Sequence, residues 1–184
     1  AGIMISSLFQ SGTSFIKLVA DPGNKLPQIT YWLMGSLAGA SWKDFDIVML
    51  PMLCGMVPLM LLRWKLNVLT MGDDEARALG VNAQRLRVGI VICATLVTAS
   101  AVSVSGMIGW VGLVIPHMMR RIVGSDYRYL MPASILGGGI FLMVVDNISR
   151  NVSSSGIPIG ILTAFVGAPF FLWLISGKGD HYEH

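Results

Sequence analysis

Charged residues are scarce in this sequence. They make up 12% of its 184 residues, whereas hydrophobic residues make up 54%. Average soluble domains carry about 25% charged residues, so the chain lacks the polar exterior that a soluble protein of this size needs. This shortage excludes an ordinary soluble domain and predicts an integral membrane protein. The formal net charge of +3 is also too small to indicate a nucleic-acid-binding protein.

Groups that commonly carry metal or phosphate chemistry are scarce as well. The two cysteines, Cys54 and Cys93, lie in apolar runs and are therefore interpreted as packing residues. A lone histidine, His117, does not indicate a metal site, and the other two histidines lie near the C-terminus. The glycine-rich stretch SGMIGWVGLVIPH contains no lysine and neither common phosphate-binding pattern. We therefore expect this chain to bind neither a metal nor ATP.

Apolar runs that could cross a membrane follow one another along most of the chain. About 20 helical residues span the ~30 Å hydrocarbon core of a bilayer. Between the first two runs, a stretch with Tyr31, Trp32 and Trp42 is typical of a short helix at the membrane interface. The sequence thus predicts six spans, at residues 1–19, 45–62, 88–105, 106–119, 129–145 and 157–175.

The first residues, AGIMISSLFQSGTSFIKLVA, have no basic flank before the apolar run, so they are not interpreted as a secretory signal. They are typical of a helix that begins further upstream. We therefore expect the 184 residues to be the C-terminal part of a longer polypeptide.

Lysine and arginine are unevenly divided between the two sides that these spans define. Nine of the thirteen lie after the second, fourth or sixth span. The positive-inside rule places the side rich in these residues in the cytoplasm. It therefore predicts that the loop after the second span and the C-terminus are cytoplasmic. The nine are Arg63, Lys65, Arg77, Arg85, Arg87, Arg120, Arg121, Arg128 and Lys178.

That loop contains the stretch TMGDDEARALGVN, residues 70–82, with three of the ten acidic residues of the chain. Asp73, Asp74 and Glu75 would lie in the first turn of a short helix, where carboxylates interact favourably with the helix dipole. Arg77 follows Asp73 by four residues, a spacing that predicts an ion pair on one helix face.

A glycine turn is predicted to end this short helix. Gly80 fits the C′ position, and Asn82 can cap a second helix that continues into the third span. A helix of about two turns is marginal alone, because isolated helices need ~12–15 residues. The loop is therefore either a solvated connector or a surface against which a partner packs, and composition alone favours neither.

Few polar residues lie within the predicted spans, and two groups of them stand out. Asp146 and Arg150 are spaced i, i+4 at the outer end of the fifth span, which predicts at least a local ion pair. A charge at the bilayer centre costs at least ~2.5–3.5 kcal/mol, so both are expected at the interface or in a wet cavity. The second group is a polar stripe on the first span that either bonds a neighbouring helix or lines a passage. It consists of Ser7, Gln10, Ser11 and Ser14.

Four stretches of the sequence closely resemble, in order, the permease subunits of binding-protein-dependent ABC importers. They are GDDEARALGVN, SGMIGWVGLVIPHMMRRIVGSDYRYLMP, DNISR and IPIGILTAFVGAPFFLWLI. The branch that they resemble is the FecCD family, which carries iron–siderophore complexes, haem and cobalamin. The resemblance covers essentially the whole chain. It implies one all-α, polytopic membrane domain over residues 1–184, corresponding to the second half of a ten-helix permease.

The resemblance also implies a role for the acidic loop. In the family, the matching loop forms two short cytoplasmic helices, here at about residues 68–86, which dock into a groove on a separate ATPase subunit. That subunit, rather than the permease, binds ATP and Mg²⁺. The residues to which this role would fall are Gly72, Asp73, Asp74, Glu75, Arg77, Leu79 and Gly80.

Roles are implied for the two polar groups as well. The family position matching Arg150 faces the periplasm and meets an acidic residue of the substrate-binding protein, and Asp146 would orient it. The helices matching the first and last spans flank the translocation pathway. The residues assigned to that pathway are Ser7, Gln10, Ser11, Ser14, Gly160 and Thr163.

The function implied is that of a non-enzymatic permease subunit in the cytoplasmic membrane. It would work as a homodimer and translocate a metal chelate, in the first place an iron–siderophore, with cobalamin, haem or an oxyanion as alternatives. An ion-coupled secondary carrier is a rival class, but such carriers usually keep ionisable residues at the membrane midplane. Here Asp46 and Asp146 lie near predicted span ends. A membrane enzyme would need catalytic groups gathered at one depth, and the sequence indicates no such set.

Overall fold

The computed structural model describes residues 2–152 and 157–176, with side chains up to residue 172. Within these ranges every regular element is a helix and no strand occurs, which confirms the all-α fold. Lys178 and the two C-terminal histidines lie outside the described residues. The helices are α1 Gly2–Val19, α2 Lys25–Leu33, α3 Trp42–Met71, α4 Asp73–Ala78, α5 Ala83–Ser105, α6 Val111–Val123, α7 Tyr127–Val152 and α8 Ile159–Ser176.

Each of the six predicted spans overlaps a helix, but the described helices differ in length. Three of them are long and apolar enough to cross a bilayer, namely α3 with 30 residues, α5 with 23 and α7 with 26. The apolar part of α8, Ile159–Leu172, is shorter, and α6 has only 13 residues. α6 packs against α7 and α8, so protein neighbours shield this short helix. A short helix, α2, is also present where the sequence predicts one at the membrane interface, whereas Trp42 begins α3.

The fourth predicted span, residues 106–119, begins too early. α5 ends at Ser105, just before Gly106, which has φ +66°, and α6 begins only after Trp110, which has φ +68°. Neither value belongs to the right-handed helical region. A run of apolar residues gives no sign of this break, because hydropathy does not report backbone conformation.

Two helices are longer than their predicted spans. Ser41 and Asp44 start α3 with a capping box, in which each side chain accepts a hydrogen bond from the other residue's backbone N–H, at 3.3 and 2.9 Å. α3 then continues to Met71, past Arg63 and Lys65. α7 likewise extends through Asp146 and Arg150 to Val152. Charged residues end an apolar run but not the backbone hydrogen bonding of a helix, so hydropathy underestimates both lengths.

The exterior of the helix bundle is largely apolar. α3 and α5 make the most extensive helix pair, and α7 packs against α3, α6 and α8. Large apolar side chains such as Leu61, at 78% exposed, lie on the outside. Such a surface is suited to contact with lipid or with further helices, because exposing apolar side chains to hydrocarbon costs no free energy of hydration. Among the described residues, the buried apolar ones are Val68, Ala76, Ala83, Val114, Ile115, Leu130, Val145 and Ile159.

The two ends of the bundle are built differently. One end is called the α4 end. It contains the end of α3, the whole of α4 and the start of α5, with the turn between α6 and α7 packed beside them. At the other, called the α2 end, the segment after α2 meets the end of α5 and the start of α8. There the Ser36 N–H donates to the Ser105 carbonyl at 2.8 Å, and the Gly160 N–H donates to the Gly35 carbonyl at 3.5 Å. Functional groups predicted from the sequence lie at both ends.

Candidate functional site

The acidic stretch at the α4 end forms one short helix. The two short helices expected at about residues 68–86 are not both present, because residues 68–71 belong to α3 and residues 83–86 to α5. α4 covers Asp73–Ala78, and its three acids fill the first turn. Only Gly72 separates it from the end of α3, and the Gly72 carbonyl accepts the first helical hydrogen bond from the Ala76 N–H at 3.1 Å. A single residue therefore connects α4 to the end of a 30-residue helix.

The predicted glycine turn is confirmed in detail. Gly80 has φ +75°, and its N–H donates to the Arg77 carbonyl at 2.9 Å. The Val81 N–H donates to the Ala76 carbonyl at 2.8 Å. This pair of bonds is a Schellman motif with Gly80 at C′. Asn82 then caps α5, because its side-chain oxygen accepts from the Arg85 N–H at 3.0 Å.

The inner face of α4 is held by its own chain. Ala76 is 0% exposed, and it forms an apolar cluster with Val68 of α3 and Ala83 of α5. Leu69 and Val81 pack against this cluster. A six-residue helix has too few hydrogen bonds to be stable alone. Its packing on α3 and α5 supplies the missing support and fixes α4 before any partner binds.

The outer face of α4 carries its charges into solvent. Here one sequence prediction was wrong: Asp73 does not pair with Arg77. Its carboxylate instead accepts from the Arg87 Nη2 of α5 at 2.8 Å, while Arg77 lies 4.0 Å from Asp74. Asp73 lies at the start of α4, beside α5, so a residue far along the chain replaces the local pair. Exposed pairs of this kind contribute little, ~0.2–1 kcal/mol.

A charged surface with an apolar edge results at this end. The Asp74 side chain is 97% exposed and the Arg77 side chain 75% exposed. Glu75 is exposed as well, and Leu79, which follows α4, is 56% exposed. Exposed acids and an arginine around an exposed leucine can form ion pairs and one apolar contact with a partner protein. We name this set, residues 73–80, the α4 surface.

The predicted ion pair between Asp146 and Arg150 is confirmed. The Arg150 Nε donates to the Asp146 Oδ2 at 2.8 Å, in the last turns of α7. The Arg150 side chain is 55% exposed and that of Asp146 is 22% exposed. Because the bond uses Nε, it leaves the two terminal amino groups of the guanidinium for another acceptor. The pair lies at the opposite end of α7 from α4.

The residues assigned to a translocation pathway fall into two separate places. On α1 all four are exposed, and the Ser11 hydroxyl donates to the Ser7 carbonyl of its own helix at 2.9 Å. On α8, Thr163 is 1% exposed and its hydroxyl donates to the Gly160 carbonyl at 3.1 Å. A Cβ at Gly160 would overlap the backbone oxygen of Met34. Gly160 thus permits a close approach of backbones.

An open, apolar cavity of about 750 Å³ lies beside Gly160, walled by the end of α2, the loop before α6 and α8. Residues of α1 line a different groove, with α2, of about 430 Å³. Among the described residues, these cavities therefore do not unite the two sets. A shared pathway stays a prediction.

Two polar residues that the sequence did not single out meet at the α4 end. The Asn67 side chain of α3 donates to the Asp126 carboxylate, in the turn before α7, at 2.6 Å. Asp126 had a weak signal, as an acid directly before an apolar helix. Asn67 had none, because its partner is 59 residues away.

Known proteins with similar sequences are permease proteins of transport systems. Residues 1–177 match the FecCD transport family. The chain is 41% identical over 170 residues to the molybdate import system permease protein MolB of Haemophilus influenzae, covering 92% of this chain and 50% of that protein. It is 39% identical over 175 residues to a permease protein assigned to an iron chelatin transport system in Helicobacter pylori, covering 95% and 53%.

A solved structure is similar as well. It shows an inward-facing conformation of an ABC transporter assigned to the metal-chelate type, with a TM-score of 0.90 and 40% sequence identity, over 96% of this chain and 57% of that one. The chain spans about half the length of the relatives that it matches. With its fold, its motifs and nearly all of its residues matched, the chain belongs to the FecCD transport family.

Proposed function

We propose that this chain is the membrane-spanning permease part of an ATP-driven importer and that the α4 surface is where an ATPase subunit binds. The observation that carries this proposal is the construction of α4. It is closed by a Schellman motif, held on its inner face by Ala76, charged on its outer face, and joined through Gly72 to α3. A loop that only connects two helices through solvent would not need this combination of features.

The orientation follows from the same proposal. The α4 surface faces the cytoplasm, where ATP is available, and the ATPase subunit holds ATP and Mg²⁺. Arg63 and Arg128 lie at this end, where the Arg63 Nη1 donates to the Arg128 carbonyl at 3.2 Å. Basic residues on the cytoplasmic side agree with the positive-inside rule. The permease performs no covalent chemistry and changes conformation as ATP binds and is hydrolysed.

The opposite end of α7 then faces the periplasm or the outside. There the Asp146 carboxylate orients Arg150, and the terminal amino groups of Arg150 receive a carboxylate of the substrate-binding protein. Arginine suits this contact because its planar guanidinium pairs with carboxylates in a fixed geometry. The large exposed apolar surface of the bundle is covered by lipid, by further helices and by a second permease copy in a homodimer.

The proposed cargo is a metal chelate, in the first place an iron–siderophore. The named cargoes of similar proteins include molybdate and an iron chelatin, so the family itself does not select one cargo. Cobalamin, haem and oxyanions are the alternatives. The cavity beside Gly160 has mainly apolar walls, so its lining does not select among these cargoes.

Uptake by the reconstituted importer tests this function. The complete natural polypeptide that contains this chain is placed in proteoliposomes with its ATPase subunit and binding protein. We expect labelled ferric siderophore to accumulate only with ATP and binding protein, at least about tenfold above vesicles given a non-hydrolysable analogue. Labelled cobalamin, haem and molybdate, assayed in parallel, decide the cargo. Accumulation driven by an ion gradient without ATP would establish the secondary carrier instead.

A further inference from the structure

The first turn of α7 receives its hydrogen bonds from two different parts of the chain. Asp126 directly precedes α7, and its carboxylate accepts from the Arg128 N–H at 2.8 Å. Its backbone carbonyl accepts from the Tyr129 and Leu130 N–H groups at 3.1 and 2.9 Å. The remaining N–H, that of Tyr127, donates to the Asn67 Oδ1 of α3 at 2.9 Å. The first turn of a helix leaves N–H groups without regular intrahelical partners, and here those of Tyr127, Arg128 and Tyr129 are all used.

Asn67 makes the contact between the two helices bidentate. Its oxygen accepts from Tyr127, and its amide nitrogen donates to the Asp126 carboxylate at 2.6 Å. The backbone N–H of Arg128 and the amide of Asn67 hold the pKa of Asp126 below its usual value. Asp126 is therefore a carboxylate at neutral pH, and its contribution to stability is lost only as the pH falls through that lowered pKa. We call this bidentate arrangement the Asn67–Asp126 contact.

The Asn67–Asp126 contact lies next to the support of α4. Val68, the neighbour of Asn67 on α3, is 4% exposed and packs against Ala76 of α4. In the last turns of α3, Val68 thus contacts α4, and Asn67, the residue before it, contacts the start of α7. α7 continues without a break to Arg150, about 35 Å away at 1.5 Å per residue.

We propose that the Asn67–Asp126 contact passes the displacement of α4 to α7, and so links nucleotide binding at the α4 surface to the docking face at Arg150. This inference rests on the proposed function. Because only Gly72 separates α3 from α4 and Val68 of α3 packs against Ala76 of α4, movement of α4 moves the end of α3. The Asn67–Asp126 contact, beside the Arg63 hydrogen bond to the Arg128 carbonyl, then makes α7 follow, whereas apolar packing alone would let the two helices slide. Asn67 and Asp126 act here as positioning residues, since neither touches nucleotide or cargo.

Thermodynamic linkage between the nucleotide site and the docking face determines which quantity has to be measured. If nucleotide and binding protein favour different permease states, each must change the affinity for the other by the same factor. The readout is therefore the ratio of binding-protein affinities with and without ATP bound to the ATPase subunit. A residue that only stabilises the fold would change thermal stability and leave this ratio unaltered.

Exchange of the two side chains provides a stringent test in the complete importer. Asn67→Asp alone places two carboxylates in contact, and we expect the affinity ratio and ATP-driven uptake to fall at least about tenfold. Asp126→Asn alone keeps an oxygen for both donors and should stay within about twofold of the parent. In the double variant, the amide introduced at position 126 can turn and donate to the carboxylate introduced at position 67, which still accepts from the Tyr127 N–H. The Arg128 N–H then gives up its side-chain acceptor, because Oδ1 of Asp126 serves both donors in the parent. We expect the double variant to recover to within about threefold of the parent.

Asn67→Ala removes both side-chain bonds without adding charge and decides the matter if Asn67→Asp fails to assemble. We expect Asn67→Ala to retain the ATPase subunit during purification and to lose most of the affinity ratio. An unchanged ratio in Asn67→Ala, or a double variant as impaired as Asn67→Asp, would overturn the proposal. Absence of ATP-driven uptake in the parent importer would instead overturn the proposed function, so the two failures are distinct.

Discussion

Replacing Gly80 with valine is expected to separate ATP hydrolysis from transport. Gly80 has φ +75°, a conformation that costs an L-residue about 1–2 kcal/mol and a β-branched one more. A Cβ added there would meet no atom within 4 Å, so the substitution acts on the backbone and not through a clash. The Schellman motif should open and α4 should lose its fixed position. We expect ATP-driven uptake to fall at least about tenfold, and binding protein should no longer stimulate ATPase activity.

A matched substitution isolates the cause. Asparagine tolerates positive φ far better than valine does, and the space around Gly80 is open. Gly80→Asn should therefore retain most of the uptake, with Gly80→Ala between the two. The ratio of cargo transported to ATP hydrolysed, measured in proteoliposomes, orders the three variants. Normal stimulation of ATPase activity in Gly80→Val would show that the turn does not position α4 for the ATPase subunit.

Reversing the charge of Arg150 is expected to weaken docking of the binding protein. Arg150→Glu replaces a half-exposed guanidinium by a carboxylate that repels both Asp146 and an acidic residue of the partner. We expect the affinity for binding protein to fall about tenfold to a hundredfold at low salt, mostly through slower association. Surface binding kinetics over a range of ionic strength provide the measurement. The salt dependence should also become weaker or change sign.

Two further variants test how the pair works. Arg150→Lys keeps the charge but loses the planar fork, so it should bind with intermediate affinity. Asp146→Asn keeps an oxygen for the Arg150 Nε and removes the charge, so its effect should be small. ATPase activity without binding protein serves as the control for assembly. If Arg150→Glu bound its partner with the parent's affinity and salt dependence, docking would have to use other residues.

Local features were predictable from the sequence, and the structure confirms them. Gly80 and Asn82 act within five residues of their own positions, so their turn and cap follow from residue type. Asp146 and Arg150 lie one helical turn apart, and their ion pair follows from spacing. Each of these predictions needs only the geometry of a helix and its ends.

Long-range features were not predictable. The expected partner of Asp73 was its helical neighbour Arg77, but α5 brings Arg87 closer, and no local rule reports which helices pack together. Asn67 lies in the last turns of α3 with no local sign of its role, because its bonding partners lie in the turn before α7 and at the start of α7. The break at Trp110 was missed for a similar reason, since an apolar run does not reveal a positive φ.

The construction of the α4 end also bears on how an importer of this kind would move. α4 is anchored on α3 and α5, and these two helices form the most extensive pair of the bundle. A force on the α4 surface would therefore displace this pair as one body, while the Asn67–Asp126 contact carries α7 with it. Binding energy at the α4 surface changes the population of permease states only if that surface differs between them.

Accessibility of the α4 surface is the most direct test of the central claim. Glu75→Cys, with Cys54 and Cys93 replaced by serine or alanine, provides one thiol on this surface in the complete importer. In intact cells an impermeant maleimide added outside should leave it unlabelled. In inside-out vesicles it should label rapidly, and bound ATPase subunit should slow that labelling. Rapid labelling from outside intact cells would place the α4 surface on the wrong side of the membrane and contradict the account.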